Sequence, residues 1–187
     1  CPLPRHMNGR TFEELIRPEK DLDGISPVNR ARIFAGEKDG FAPCTAEAVI
    51  EILKTYQIPM EGKRAVVVGR SMVVGRPLSM LFLKENATVT VCHTKTADLK
   101  AVCREADILV SAVGRVGLVT PDMVKEGAVV IDVAMNRNEA GKLCGDVDLA
   151  AVEPKASYIT PVPGGVGPMT RAMLMRNILT AAEAHLK

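Results

Sequence analysis

The run Val66-Val67-Val68-Gly69 limits more than any other what this chain can become. Arg64 to Val68 is a short apolar stretch without alternation, which suits a strand buried on both faces of a parallel sheet. A helix is read from Leu78 to Glu85, with Pro77 near its first turn. Strand, tight turn and helix in succession bring backbone N–H groups and a positive helix end toward an anion, above all a phosphate. Within Gly69-Arg70-Ser71-Met72-Val73-Val74-Gly75, Gly69 allows the turn and Gly75 the close approach of helix to strand. The middle glycine of GxGxxG is replaced by Ser71, so the motif alone fits an ordinary strand-to-helix turn as well as a dinucleotide site.

The rest of the chain repeats the same alternation. A helix runs from Thr45, its cap, to about Gln57, with Val49, Ile52, Leu53 and Tyr56 at helical spacing and Pro59 stopping it. Further strands are predicted at Ala87–Cys92, Asp107–Ala112, Ala128–Val133 and Ser157–Thr160. Helical segments are predicted at Asp98–Glu105, Pro121–Lys125 and Met169–Lys187, the last with Met175, Ile178, Ala182 and Leu186 on one stripe as core or interface filler. Asn136 to Gly145 is polar and reads as a turn or hairpin. Together these predict an α/β chain, a Rossmann-like doubly wound parallel sheet. Residues 1–44 are rich in Pro, Gly and charge and read as irregular; Cys1-Pro2-Leu3-Pro4 reads as the exit of an element that began upstream.

The tip of the second strand selects the cofactor. An NAD enzyme places Asp or Glu there for the ribose hydroxyl. This strand ends Val91-Cys92-His93-Thr94-Lys95-Thr96, with hydroxyls and a cation but no carboxylate. Arg70, Thr94 and Lys95 could bind a 2′-phosphate, which favours NADP. Small residues at Ser111-Ala112-Val113-Gly114 let a ring or ribose pass close to the backbone. Asp132 reads as a strand-end residue bonding local backbone rather than as a catalytic acid. Between Thr160 and Thr170, three prolines and three glycines make a rigid loop with few side chains, suited to pressing its backbone on a flat ligand.

Composition excludes little but points one way. Net charge is +2 and six aromatics are present, so nothing argues for nucleic acid or an anionic membrane surface. No apolar run is long enough to span a bilayer, and no signal-peptide pattern opens the chain. Five cysteines without a CxxC pair argue against a disulfide framework or zinc site and for a reducing, cytoplasm-like compartment.

Several segments together resemble the bifunctional methylenetetrahydrofolate dehydrogenase/cyclohydrolases. They are Lys20-Asp21-Leu22-Asp23-Gly24, Pro43-Cys44-Thr45, Gly69-Arg70-Ser71 with Val74-Gly75, Cys92-His93-Thr94-Lys95-Thr96, and Pro161 to Thr170. The resemblance spans essentially the whole chain. It implies NADP-dependent oxidation of methylenetetrahydrofolate and hydrolysis of the methenyl product to formyltetrahydrofolate, in a cytoplasmic homodimer serving one-carbon metabolism and purine biosynthesis. It implies that Gly69, Arg70, Ser71 and Thr94 bind NADP, the last three near the 2′-phosphate, and that Met135 lies near the nicotinamide. It implies that Asp23 is the acidic catalytic contact to the folate pterin and that Pro163, Gly164, Gly165, Val166 and Gly167 line the folate side; no metal is expected, because neither the cysteines nor His6, His93 and His185 have ligand spacing. Residues 1–44 would then be the remnant of a folate-binding catalytic domain, 45–168 the NADP domain, and 169–187 a helix packing back on the catalytic part. Two departures stand out: Ala134-Met135 replaces the family's more usual Gly-Ile, and the upstream Tyr-x-x-x-Lys motif, whose Lys is the key catalytic group, is not in these residues. The expectation is a cofactor-binding part with little activity alone; the alternatives are a non-catalytic NADP module, or an NADP dehydrogenase of another substrate class on the same fold.

Overall fold

A computed structural model describes residues 4, 8–37 and 39–186. The readings of Cys1-Pro2-Leu3 as an upstream exit and of Lys187 as the last helical residue lie outside them. The chain opens with helices α1 (Gly9–Leu15) and α2 (Pro27–Ala35), then α3 (Cys44–Thr55) and β1 (Arg64–Val68). There follow α4 (Gly75–Lys84), β2 (Thr88–Cys92), α5 (Leu99–Arg104), β3 (Ile108–Ser111) and β4 (Val129–Asp132). A small hairpin, β5 (Asn136–Arg137) with β6 (Leu143–Cys144), precedes α6 (Leu149–Val152), β7 (Tyr158–Ile159) and α7 (Val166–His185).

Five strands form one parallel sheet in the order β2-β1-β3-β4-β7. The register matters for function. Val68 pairs with both Cys92 and Ser111, and Ser111 with Asp132, so the strands end flush. Every following loop therefore starts at one edge. The order reverses between β1 and β3, the crevice where ligands bind in such sheets.

Both faces are covered, which explains the unbroken apolar runs. Val67, Ile108, Val110 and Ile131 meet Val49, Leu53, Leu78 and Phe82 from α3 and α4. Val66, Val68, Leu109 and Val130 meet Cys103, Val119, Val124 and Val152 on the other face. At the reversal the backbone closes tightly. Gly69 has φ +123°, and a Cβ there would lie 2.6 Å from the Ala112 carbonyl oxygen. A Cβ on Gly75 would overlap the Gly69 carbonyl oxygen itself.

Three expectations are corrected. The described residues among 1–44 are not irregular throughout, since they hold α1 and α2: Ser26 caps α2 by accepting the Asn29 N–H at 3.3 Å, and buried Asp21 accepts the Ile25 and Ser26 N–H groups at 2.9 and 2.7 Å. Thr45 does not cap α3; the helix begins at Cys44, whose N–H is accepted by Asp23 Oδ1 at 3.0 Å from 21 residues upstream. On α7 the stripe Met175, Ile178, Ala182 and Leu186 is exposed, so it fills no core within the described residues and only the interface reading is left for it, while Met173 and Asn177 are buried. Arg176 bridges Glu47 and Glu51 on α3 at 2.6 and 3.0 Å and turns that other face inward. Among the described residues no helix is long and apolar enough to cross a membrane.

Two outcomes test this architecture. Gly75→Ala must displace backbone rather than a side-chain tip, and is expected to lower unfolding free energy by about 3 kcal/mol in urea titration. Burial pushes the Cys44 and Cys103 thiols up to about 12, and Cys92 is buried as well. Iodoacetamide at mildly alkaline pH is therefore expected to label half-buried Cys144 while sparing these three until urea unfolds the chain, as read by peptide mass mapping.

Candidate functional site

The site is built on the flush edge. The Gly69 N–H donates to the Cys92 carbonyl at 2.9 Å, and the Ala112 N–H donates to the Val68 carbonyl at 2.9 Å. The turns after β1, β2 and β3 are thus pinned side by side. Above the first turn stands the N-terminus of the ten-residue α4, with its partial positive charge. Ser71 Oγ accepts the Val74 N–H at 3.1 Å and the Gly75 N–H at 3.5 Å, so its lone pairs serve the loop and its hydroxyl proton is left to donate outward. Arg70 and Ser71 are both exposed.

The second tip is a compact turn. His93 donates its N–H to Thr96 Oγ1 at 2.9 Å, and its Nδ1 accepts the Lys95 N–H at 3.1 Å. His93 is consumed in shaping the turn. Thr94 and Lys95 stay exposed, one and two residues beyond it. The next carboxylate, Asp98, is engaged in capping α5 through the Ala101 N–H at 2.9 Å. The residues that carry these cations and hydroxyls flank the Gly69–Cys92 contact, Arg70 one residue past Gly69 and Thr94 two past Cys92.

Farther along the edge, Asp132 does what a strand-end Asp is expected to do. It accepts the Ala134, Asp146 and Val147 N–H groups at 3.1, 3.1 and 2.8 Å. Burial pushes its carboxyl above the usual range against the pull of those donors. Asp146, unremarked in the sequence, is buried beside it and holds the loop after β3. Its Gly-Asp setting after a polar hairpin offered only a turn signal.

Met135 is 71% exposed and joins Pro163, Gly164, Gly165, Val166 and Gly167 around one cavity of about 180 Å³. Arg171, which sequence reasoning did not single out, lines it too. A larger apolar cavity of about 510 Å³ lies on the other side of the same loop, against Ile52, Ile131 and Met169. α7 begins at Val166, inside the glycine-rich stretch rather than after it. Asp23 is placed elsewhere: exposed at the head of α3, beside the point where Thr45 meets Thr170 of α7 at 3.4 Å, and not among the residues lining the Met135 cavity. The structure thus pins the turn that carries Arg70 and Ser71 beside the turn that carries Thr94 through the Gly69–Cys92 bond, and joins Met135 with the Pro163–Gly167 loop around one cavity; Asp23 is not among the residues that line that cavity.

The first group fits the phosphates of NADP on its own terms. The turn is closed so tightly that side chains at 69 and 75 have no room, which leaves backbone to face a ligand. Arg70, Thr94 and Lys95 supply donors for a 2′-phosphate. Among the described residues no cluster of three or more His, Cys, Asp or Glu could hold a metal ion.

Comparison with known proteins agrees. The family model "Tetrahydrofolate dehydrogenase/cyclohydrolase, NAD(P)-binding domain" matches residues 43–186. The bifunctional protein FolD of Clostridioides difficile is 52% identical over 182 residues, 97% of this chain and 63% of that protein. That of Carboxydothermus hydrogenoformans is 55% identical over 184 residues, 97% of this chain and 64% of its own length. The crystal structure of the bifunctional FolD enzyme of Campylobacter jejuni superposes with a TM-score of 0.97 at 49% identity, covering 99% of this chain and 66% of that one. The Trypanosoma brucei dehydrogenase-cyclohydrolase, solved with NADP cofactor and inhibitor, gives 0.93 at 41% identity over 100% of this chain and 66% of its own. The chain spans 63–64% of the length of the first two relatives. It belongs to the tetrahydrofolate dehydrogenase/cyclohydrolase family and carries that family's NAD(P)-binding domain.

Proposed function

We propose that this chain is the cofactor-binding part of an enzyme that oxidises methylenetetrahydrofolate to methenyltetrahydrofolate with NADP and hydrolyses the product to formyltetrahydrofolate. The observation that carries the reading is the shared cavity of Met135 and the Pro163–Gly167 loop, on the same sheet edge as the Gly69 turn. A dinucleotide laid along that edge from Arg70 and Thr94 would run toward Met135. When bound, NADP supplies the hydride acceptor. Arg70, Ser71 and Thr94 hold the 2′-phosphate, and the Gly69 turn presents backbone to the pyrophosphate. The Pro163–Gly167 loop presents a flat, water-excluding wall to the folate, and Asp23 makes a polar contact to the pterin.

The family match starts at residue 43, which supports assigning residues 1–44 to the folate-binding part. Met175, Leu179 and Leu186 leave an apolar stripe of α7 exposed, suited to the catalytic part that the relatives' greater length provides. That part would bring the Lys of the Tyr-x-x-x-Lys motif for proton management. The same reading makes the whole protein a cytoplasmic homodimer supplying formyl groups to purine biosynthesis, and unbridged Cys44, Cys92, Cys103 and Cys144 suit a reducing compartment.

Calorimetry separates NADP from NAD. Arg70→Ala removes a charged hydrogen bond worth about 1.5–3 kcal/mol, so NADP affinity is expected to fall about tenfold or more while NAD affinity holds. Loss of both affinities alike would refute the 2′-phosphate assignment. A protein extended upstream to the relatives' length is expected to exceed this chain's dehydrogenase turnover by at least about a hundredfold, the scale of one general acid–base group. Equal turnover would refute the division of labour.

A further inference from the structure

Asp146 lies outside every motif that pointed to a ligand, yet it ties together loops from two strands. Its side chain is 0% exposed. Oδ2 accepts the Ser111 hydroxyl at 2.8 Å and the Val113 N–H at 2.9 Å. Oδ1 accepts the Arg115 N–H at 2.6 Å and the Asn136 side-chain amide at 3.0 Å. All four donors are neutral. Two belong to the loop after β3, and Asn136 opens β5 directly after Met135, at the end of the loop that follows β4. The backbone of Asp146 is fixed in turn, its N–H donating to Asp132 Oδ1 at 3.1 Å. Gly145 permits that approach, since a Cβ there would overlap the Asp132 carboxylate.

Such an arrangement is expensive for stability alone. A carboxylate taken from water needs strong donors merely to offset its desolvation, and apolar residues of the same volume often do as well. What the carboxylate adds is geometry: four donors meeting at two oxygens allow one arrangement of both loops. Those loops border the path from the Gly69 turn to the Met135 cavity, because Gly69 abuts Ala112.

We propose that Asp146 is a positioning residue for the cofactor, fixing the loops that receive the nicotinamide half of NADP without touching the ligand. The inference rests on the NADP reading above and deepens it. Its signature is asymmetry along the ligand. The adenosine half, held by Arg70 and Thr94, does not depend on this clasp, whereas the half beyond the pyrophosphate does.

Calorimetric titration of the 187-residue chain with NADP and with adenosine 2′,5′-bisphosphate reads the two halves separately. Asp146→Asn turns a donor toward the donors of one oxygen. It is expected to weaken NADP about tenfold or more, the scale of a misplaced contact, and to leave the bisphosphate within about twofold. Should that variant fail to fold, Ser111→Ala decides the matter. Ser111 is 0% exposed and so cannot meet the ligand, and its loss removes one donor from the clasp. An NADP loss of about fivefold with the bisphosphate unchanged is the expected result there. Equal weakening of both ligands, or no change in either, in a folded variant overturns the proposal. A wild-type chain that binds neither ligand removes the NADP reading, and this inference with it.

Discussion

Backbone contact between the Gly69 turn and its neighbours, Gly75 above and Ala112 beside, sets the geometry of the whole carboxyl edge. Three segments meet there with no side chain between them. The contact forces α4 to start directly over the end of β1 and brings the loops after β1 and β3 into van der Waals touch. With the strands in flush register, the remaining loops fall into line along the same crevice. A dinucleotide is long and carries its charge in the middle, so an edge of this form offers it backbone amides and a helix end at one station and open loops at the others.

Charge is distributed along that edge by a simple rule. Cationic side chains, Arg70 and Lys95, stand at exposed tips. The carboxylates Asp132 and Asp146 are turned inward and satisfied by neutral donors, Asp132 by three backbone amides and Asp146 by two amides, a hydroxyl and an Asn, while exposed Asp98 is engaged by an amide at the start of α5. The loops are held by negative charge, yet the surface offered at the Arg70–Thr94 junction is positive. Surface pairs elsewhere, such as Arg64 with Glu105, are solvent-screened and add little.

How far the sequence could be read follows from how far apart the deciding partners lie. β1 is legible to the residue, Arg64–Val68, because a doubly covered strand ending in glycine has a local signature. The cofactor turn and the absence of a carboxylate at the tip of β2 are local too. The start of α3 was misassigned because the group satisfying its first amide is Asp23, 21 residues away, whereas Thr45 sits where a local cap would be. Asp146 was invisible for the same reason, its partners Ser111, Val113 and Arg115 being 35, 33 and 31 residues distant. On α7 two stripes have equal periodicity. The more apolar one faces outward because Arg176 pairs with Glu47 and Glu51 and Asn177 bonds the Leu22 carbonyl at 2.9 Å. Periodicity reports that a face exists, not which neighbour it meets.

The same helix explains how the Pro163–Gly167 loop and Asp23 keep a fixed relation without touching. α7 is 20 residues long, so it forms a rod of about 30 Å. Its first turn is the end of the glycine-rich loop. One turn in, Thr170 meets Thr45, and farther on Asn177 grips the carbonyl of Leu22, next to Asp23. Asp23 closes the circuit by accepting the N–H of Cys44, the residue before Thr45. The loop, the head of α3 and the Asp23 turn are therefore three points on one rigid frame. A rotation of α7 would carry the loop and the Asp23 turn together, and neither could move toward the Gly69 edge unless the Arg176 pairs with α3 slid as well.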